Sequence, residues 1–113
     1  MTRTPEEVFA HHGQALGAED LEEIVADYTE DAILVVNKTV FRGKDGARAV
    51  FTQLLSDLPS AAWQLDTVFA DDVLYLEWKA TGGGRKSDDA IDTFIFKDGM
   101  IRVQTVFYTV KPA

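Results

Sequence analysis

Asp92 lies in the run Ala90-Ile91-Asp92-Thr93-Phe94-Ile95-Phe96, whose β-branched and aromatic content reads as a strand. Period-two alternation puts its carboxylate on the face shared by Ala90, Phe94 and Phe96. An ionised carboxylate among aromatic rings is costly to bury unless it is paired, so such a group tends to hold a proton, its pKa raised by desolvation. These properties make Asp92 a candidate acid, base or hydrogen-bond donor. The alternative is a bulge that turns the side chain to solvent, or an Asp tied to a nearby backbone amide.

The elements that must position it can be read along the chain. Thr4, Pro5 and Glu7 form a helix start, with Thr4 as N-cap and Glu7 closing a capping box. The helix runs to about Leu16 and puts Val8, Phe9, His12, Ala15 and Leu16 on one face, so His12 joins Asp92 as an inward-facing polar group. His11 falls on the side expected to face water, and adjacent helical residues cannot aim at one metal ion. Asp20 caps a second helix, to about Thr29, with Leu21, Ile24, Val25 and Tyr28 as its apolar stripe. Residues 32–36 read as a buried strand and 39–41 as its short return. A third helix over about 45–58 places Ala47, Val50, Phe51, Leu54 and Leu55 inward until Pro59. Strands over 62–69, 73–80, 89–97 and 100–110 follow as an antiparallel meander, joined by Asp71-Asp72, Gly82-Gly83-Gly84 and Asp98-Gly99. The triple glycine does not lead from a strand into a helix, so it is a flexible hairpin able to gate a pocket mouth rather than a phosphate cradle.

No linker, repeat or low-complexity segment interrupts residues 1–113, which form one domain with one core. The class is α+β, three N-terminal helices packed on a strongly curved antiparallel sheet. One helical layer covers one sheet face, yet Val103 and Phe107 make the other apolar as well. A second copy of the sheet in a two-fold homodimer is the expected cover. A composition of 46% hydrophobic and 27% charged residues is globular, without an apolar run of membrane-spanning length or a secretory signal, so a cytoplasmic protein is expected. Zero cysteines exclude disulfides and thiolate chemistry. With no His-x-x-x-His spacing either, no metal site is expected. A net charge of -8 repels phosphate backbones and anionic lipid surfaces, so nucleic acid and membrane are not expected partners.

Four runs carry a resemblance over nearly the whole chain: Gly17-Ala18-Glu19-Asp20-Leu21-Glu22-Glu23-Ile24-Val25, Tyr28-Thr29-Glu30-Asp31-Ala32, Phe41-Arg42-Gly43-Lys44-Asp45-Gly46 and Asp92-Thr93-Phe94. With the element order, they resemble the nuclear transport factor two-like superfamily, in its SnoaL-like and ketosteroid-isomerase-like group. The resemblance implies a cone-shaped barrel whose apolar mouth holds a small hydrophobic molecule, in members that range from isomerases, cyclases, dehydratases and epoxide hydrolases to modules with no catalysis. Residue by residue, Asp92 resembles the isomerases' protonated, donating aspartic acid, and His12 falls where they place an oxyanion-binding tyrosine. The strand position of their proton-shuttling aspartate is Val36 here, with Asn37 beside it, which argues against the usual steroid isomerisation.

The expected catalytic pair is therefore His12 and Asp92, converging as a hydrogen-bonded dyad in which the carboxylate orients the imidazole and makes it more basic. The alternative is a structural His–Asp bond in a core. Tyr28, Val36, Phe51, Trp63, Trp78, Phe94, Gln104 and Tyr108 are the expected ligand-binding residues, each also compatible with a core role. The function these residues imply is a cofactor-independent acid/base enzyme of isomerase, cyclase or lyase type acting on a small hydrophobic carbonyl compound. The competing reading is a non-catalytic small-molecule binding or dimerisation module.

Overall fold

The computed structural model describes residues 2–113. Helix α1 (Pro5–Gly17) starts on the expected capping box: Thr4 Oγ1 accepts from the Glu7 amide at 3.1 Å, and Glu7 Oε1 accepts from the Thr4 amide at 2.8 Å. Its buried side is Val8, Phe9, His12, Ala15 and Leu16. Helix α2 (Leu21–Ala26) is shorter than expected, because the chain leaves it at Asp27 and enters β1 (Tyr28–Val36) at Tyr28. The Asp27 carbonyl accepts from the Ile101 amide at 2.7 Å, and this long-range pairing overrides the helical periodicity that carries on to Tyr28. Strand β2 (Thr39–Arg42) returns along β1, and helix α3 (Gly43–Asp57) follows without a side-chain cap. At α3's first residue the backbone turns at φ +67°, where a Cβ would come within 2.9 Å of the Glu30 carbonyl oxygen, so only glycine fits.

Strands β3 (Ala62–Ala70), β4 (Val73–Gly82), β5 (Arg85–Lys97) and β6 (Met100–Phe107) form the meander, and β7 (Lys111–Pro112) adds a short pairing to β5. The sheet order is β2-β1-β6-β5-β4-β3. One pairing departs from the antiparallel expectation. β1 runs parallel to β6, since α3 and four strands separate them and return the chain in the same direction, so the sheet is mixed. It also stays open, with β2 and β3 as its edges, rather than closing as a barrel. Register shifts at Trp78/Ala80 and Ile95/Phe96 mark irregularities of the kind that bend and twist strands.

Three helices thus pack on one face of a curved α+β sheet. The inner face carries Leu74, Leu76, Trp78, Phe94, Phe96 and Ile101, all buried. The outer face is apolar and uncovered: Val68 is 61% exposed, Phe107 53% and Ile91 46%. The glycine hairpin is not a loose flap. A Cβ on Gly83 would lie 2.6 Å from Pro59 Cγ, and the Ala113 amide donates to the Gly84 carbonyl, so packing and the C-terminal tail both hold it. No helix among the described residues is long and apolar enough to cross a membrane.

Candidate functional site

Asp92 is 3% exposed on the inner face of β5, directly opposite Leu76 on β4 and Val106 on β6. Its partners sit two positions further along each neighbouring strand, the diagonal reach that long side chains span on one sheet face. Trp78 Nε1 donates to Oδ1 at 2.7 Å, and Gln104 Nε2 donates to Oδ2 at 2.8 Å. Gln104 is fixed in turn by the Tyr28 hydroxyl, which donates to its Oε1. Every bond in this chain points toward the carboxylate. Both Asp92 oxygens accept, the arrangement an ionised carboxylate needs, and roughly two of its four lone-pair sites remain unused.

Burial nevertheless dominates and pushes the Asp92 carboxyl up to about 7, against the opposing pull of the Gln104 and Trp78 hydrogen bonds. Near neutral pH it therefore exchanges between acid and base forms. Burial also holds the Tyr28 hydroxyl well above its ordinary range, helped by the charges of Asp92 and Asp27, so it keeps its proton. His12 is 3% exposed in a box of four rings, with centroids 5.3 Å to Phe51, 5.8 Å to Phe94, 5.9 Å to Tyr28 and 6.1 Å to Phe9. Burial lowers its pKa to about 4 although the Asp27 charge works the other way, so the ring is neutral at pH 7. Its Nδ1 is enclosed without a hydrogen-bond partner among the described residues.

The expected dyad does not form. His12 and Asp92 both line one cavity, but the carboxylate is committed to Trp78 and Gln104, and the imidazole to aromatic packing. The geometric cause is that the inner-face indole and amide reach Asp92 along the sheet, leaving α1 to supply only the opposite wall. His11 is also placed differently from expectation. Its Nδ1 lies 2.7 Å from Asp27 Oδ2, and Arg3 Nη1 reaches the same buried carboxylate at 3.0 Å. No local signal links positions 11 and 27. Only the packing of α1 beside the end of α2 does.

The cavity holds about 40 Å³. Phe51, Trp63, Trp78, Phe94, Gln104 and Tyr108 line it together with His12 and Asp92. Tyr28 lies behind Gln104, fully enclosed, and Val36 faces a separate cleft beside Asn37 and Phe41. Phe9, Gly13, Leu16, Val50, Leu54, Leu65, Leu76 and Val106 complete the wall; of these Leu65, 46% exposed, forms the rim. The expected ligand-binding set omits Leu65 and Leu76. Their signal was the same alternation that placed Trp63 and Trp78.

Comparison with known proteins bears on the fold and family. IdmH of Streptomyces antibioticus, a proposed polyketide cyclase, superposes with a TM-score of 0.76 at 17% identity, over 94% of this chain and 92% of that one. A proposed ketosteroid isomerase from Kribbella flavida gives 0.77 at 15% identity, over 96% and 82%. SalBIII, an epoxide hydrolase/cyclase-like enzyme of pyran ring formation in the polyether salinomycin, gives 0.74 at 19% identity, over 96% and 95%. A sequence search of curated proteins returns no match. At these identities the structures share a fold with this chain, and the family rests on sequence: the model of the SnoaL-like domain matches residues 9–104, which takes in every element from the middle of α1 to β6. The chain belongs to the SnoaL-like domain family.

Proposed function

We propose that the protein is a cofactor-independent acid/base enzyme of isomerase, cyclase or lyase type, transferring protons on a small apolar carbonyl compound. The observation that carries this reading is Asp92: a carboxylate buried in an apolar cavity, held by two N–H donors, with its pKa raised to about 7. A base works best with a pKa near the working pH, and here burial supplies that match. Asp92 removes a proton next to the substrate carbonyl, and the neutral imidazole of His12 polarises the developing enolate from the opposite wall. Two neighbours carry names of polyketide cyclase and epoxide hydrolase/cyclase-like chemistry, reaction classes that acid/base groups serve, and this supports the reading. The competing reading, a binding module without catalysis, is favoured by the missing His12–Asp92 bond, which leaves Asp92 without a second titrating partner.

A small nitrobenzisoxazole, an activated carbon acid that needs only a modest opening of the cavity wall, separates the two. Base catalysis should accelerate its ring opening ~10² to 10⁴-fold over buffer. The rate should rise with pH through about 7 and then level, because Asp92 is a base only when ionised. A buffer-level rate with intact binding of apolar ligands would leave the module reading standing.

We further propose that the uncovered outer face pairs with that of a second copy. Val68, Val73, Tyr75, Ile91, Ile95 and Phe107 expose apolar surface in one sheet layer, more than scattered single side chains account for. Equilibrium sedimentation at micromolar concentration should return a homodimer, and Phe107→Asp together with Ile91→Lys should return a monomer. A monomeric parent protein would sink this proposal.

A further inference from the structure

The Asp92 cavity, at about 40 Å³, admits little more than a water or two, whereas ligand pockets commonly span ~300 to 1,000 Å³. Catalysis on a carbonyl compound of any size requires a wall to move. A second space of about 420 Å³ lies between the β1–β2 turn, the end of α3 and the segment after β6. Among the described residues, Tyr108 alone lines both.

We propose that Tyr108 is a swinging partition, and that the substrate spans both spaces, an apolar carbonyl-bearing body against Asp92 and an uncharged hydroxylated tail in the cleft. This deepens the acid/base reading and rests on it. The backbone at Tyr108 is pinned, its amide donating to Asn37 Oδ1 at 2.9 Å, while the next residue's amide donates to Asp89 Oδ1 at 3.0 Å. The side chain is not pinned in this way. Its hydroxyl makes no hydrogen bond to another described residue, and its ring, although buried, packs against the Trp78 ring with centroids 5.5 Å apart. Rotation about Cα–Cβ therefore breaks no hydrogen bond and costs only ring packing. Burial, then the charges of Asp57 on the cleft side and Asp92 on the cavity side, raises the hydroxyl to about 12, in keeping with a ring set between the two spaces.

The cleft's chemistry sets the tail. Asn37 Nδ2, Thr39 Oγ1 and Gln53 Oε1 offer neutral hydrogen-bonding groups, since Asn37 Oδ1 accepts from the Tyr108 amide and Gln53 Nε2 donates to Asp57, and among the described residues Asp57 is the only charged side chain lining it. A hydroxyl can both donate and accept there. A carboxylate would meet Asp57.

The test compares naphthyl methyl ketone with the same ketone carrying a short hydroxyl-ended ether chain, and with a carboxylate-ended chain of equal length, by calorimetry. The hydroxyl tail should tighten binding to the parent protein about threefold to tenfold, the worth of one net hydrogen bond, and the carboxylate tail should not. Tyr108→Ala should enlarge that gain. Tyr108→Trp, whose larger ring keeps the partition shut, should weaken the untailed ketone and erase the gain from the tail. An equal ratio of tailed to untailed affinity in all three proteins would overturn the partition, and binding of no ketone by any of them would overturn both the partition and the carbonyl-substrate reading. Turnover of the tail-free nitrobenzisoxazole reports on Asp92 separately, so a failed partition and a failed base give different results.

Discussion

On the proposed acid/base reading, Asp92→Asn should lower the rate of carbon-acid deprotonation by ~10² to 10⁴-fold, the usual worth of a positioned general base, and remove the rise in rate through pH 7. The substitution is nearly isosteric and keeps the contacts to Trp78 and Gln104. The new amide presents an N–H where Asp92 accepted, and Gln104 can turn its own amide over so that Oε1 accepts from it. The Tyr28 hydroxyl then accepts from Gln104 instead of donating. Lost activity in a well-folded variant therefore reports on the missing base. His12→Phe, which fills the same aromatic box, should cost less, because it removes only a polarising donor. A variant Asp92→Asn that keeps both its rate and its pH profile would remove Asp92 from the chemistry.

The second large effect is on stability, and the two buried groups oppose one another. The Asp92 pKa stands at about 7 in the fold against an ordinary 3.8, so the fold binds a proton that the unfolded chain has released. Its stabilisation is complete below about pH 4 and is lost as pH rises through 7, by up to about 4 kcal/mol. The His12 pKa is depressed from 6.5 to about 4, so its contribution is present above 6.5 and lost as pH falls through 4, by up to about 3 kcal/mol. Between pH 4 and 6.5 the two slopes largely cancel. Urea unfolding across this range should show Asp92→Asn gaining stability as pH rises, and His12→Phe losing it, each steeper than the parent protein. Above pH 7.5 Asp92→Asn should exceed the parent protein by a few kcal/mol. Three parallel profiles would mean that neither group is buried as described.

The same residues show what a sequence can disclose. The face occupied by Asp92 was legible because strand alternation is rigid: once residues 90–96 form a strand, Asp92 must join Phe94 and Phe96. The capping box was legible because it closes within four residues. Tyr28 was placed in α2 because it continues the stripe of Leu21, Ile24 and Val25, and nothing local reveals that Ile101 will claim it for a strand. The dyad failed for a related reason. Facing tells that His12 and Asp92 look inward, but the separation of a helix and a strand across a core depends on every side chain between them. Trp78 and Gln104 were recognised as pocket residues, yet their bonds to Asp92 depend on strand register, which the sequence leaves open until the bulges are known.

The hydrogen-bond chain from Tyr28 through Gln104 to Asp92 has a consequence for where a proton can travel. A carboxamide orients its neighbours but does not readily pass a proton along, and the indole N–H of Trp78 offers no acceptor either. The wires that hold Asp92 in place are therefore insulated. If Asp92 acts as the proposed base, a proton it lifts from a substrate has one open direction, back into the cavity, so while the cavity is occupied the hydrogen should return to the molecule it came from. An isotopic label carried in on one carbon would leave on another carbon of the same molecule, undiluted by the surrounding water.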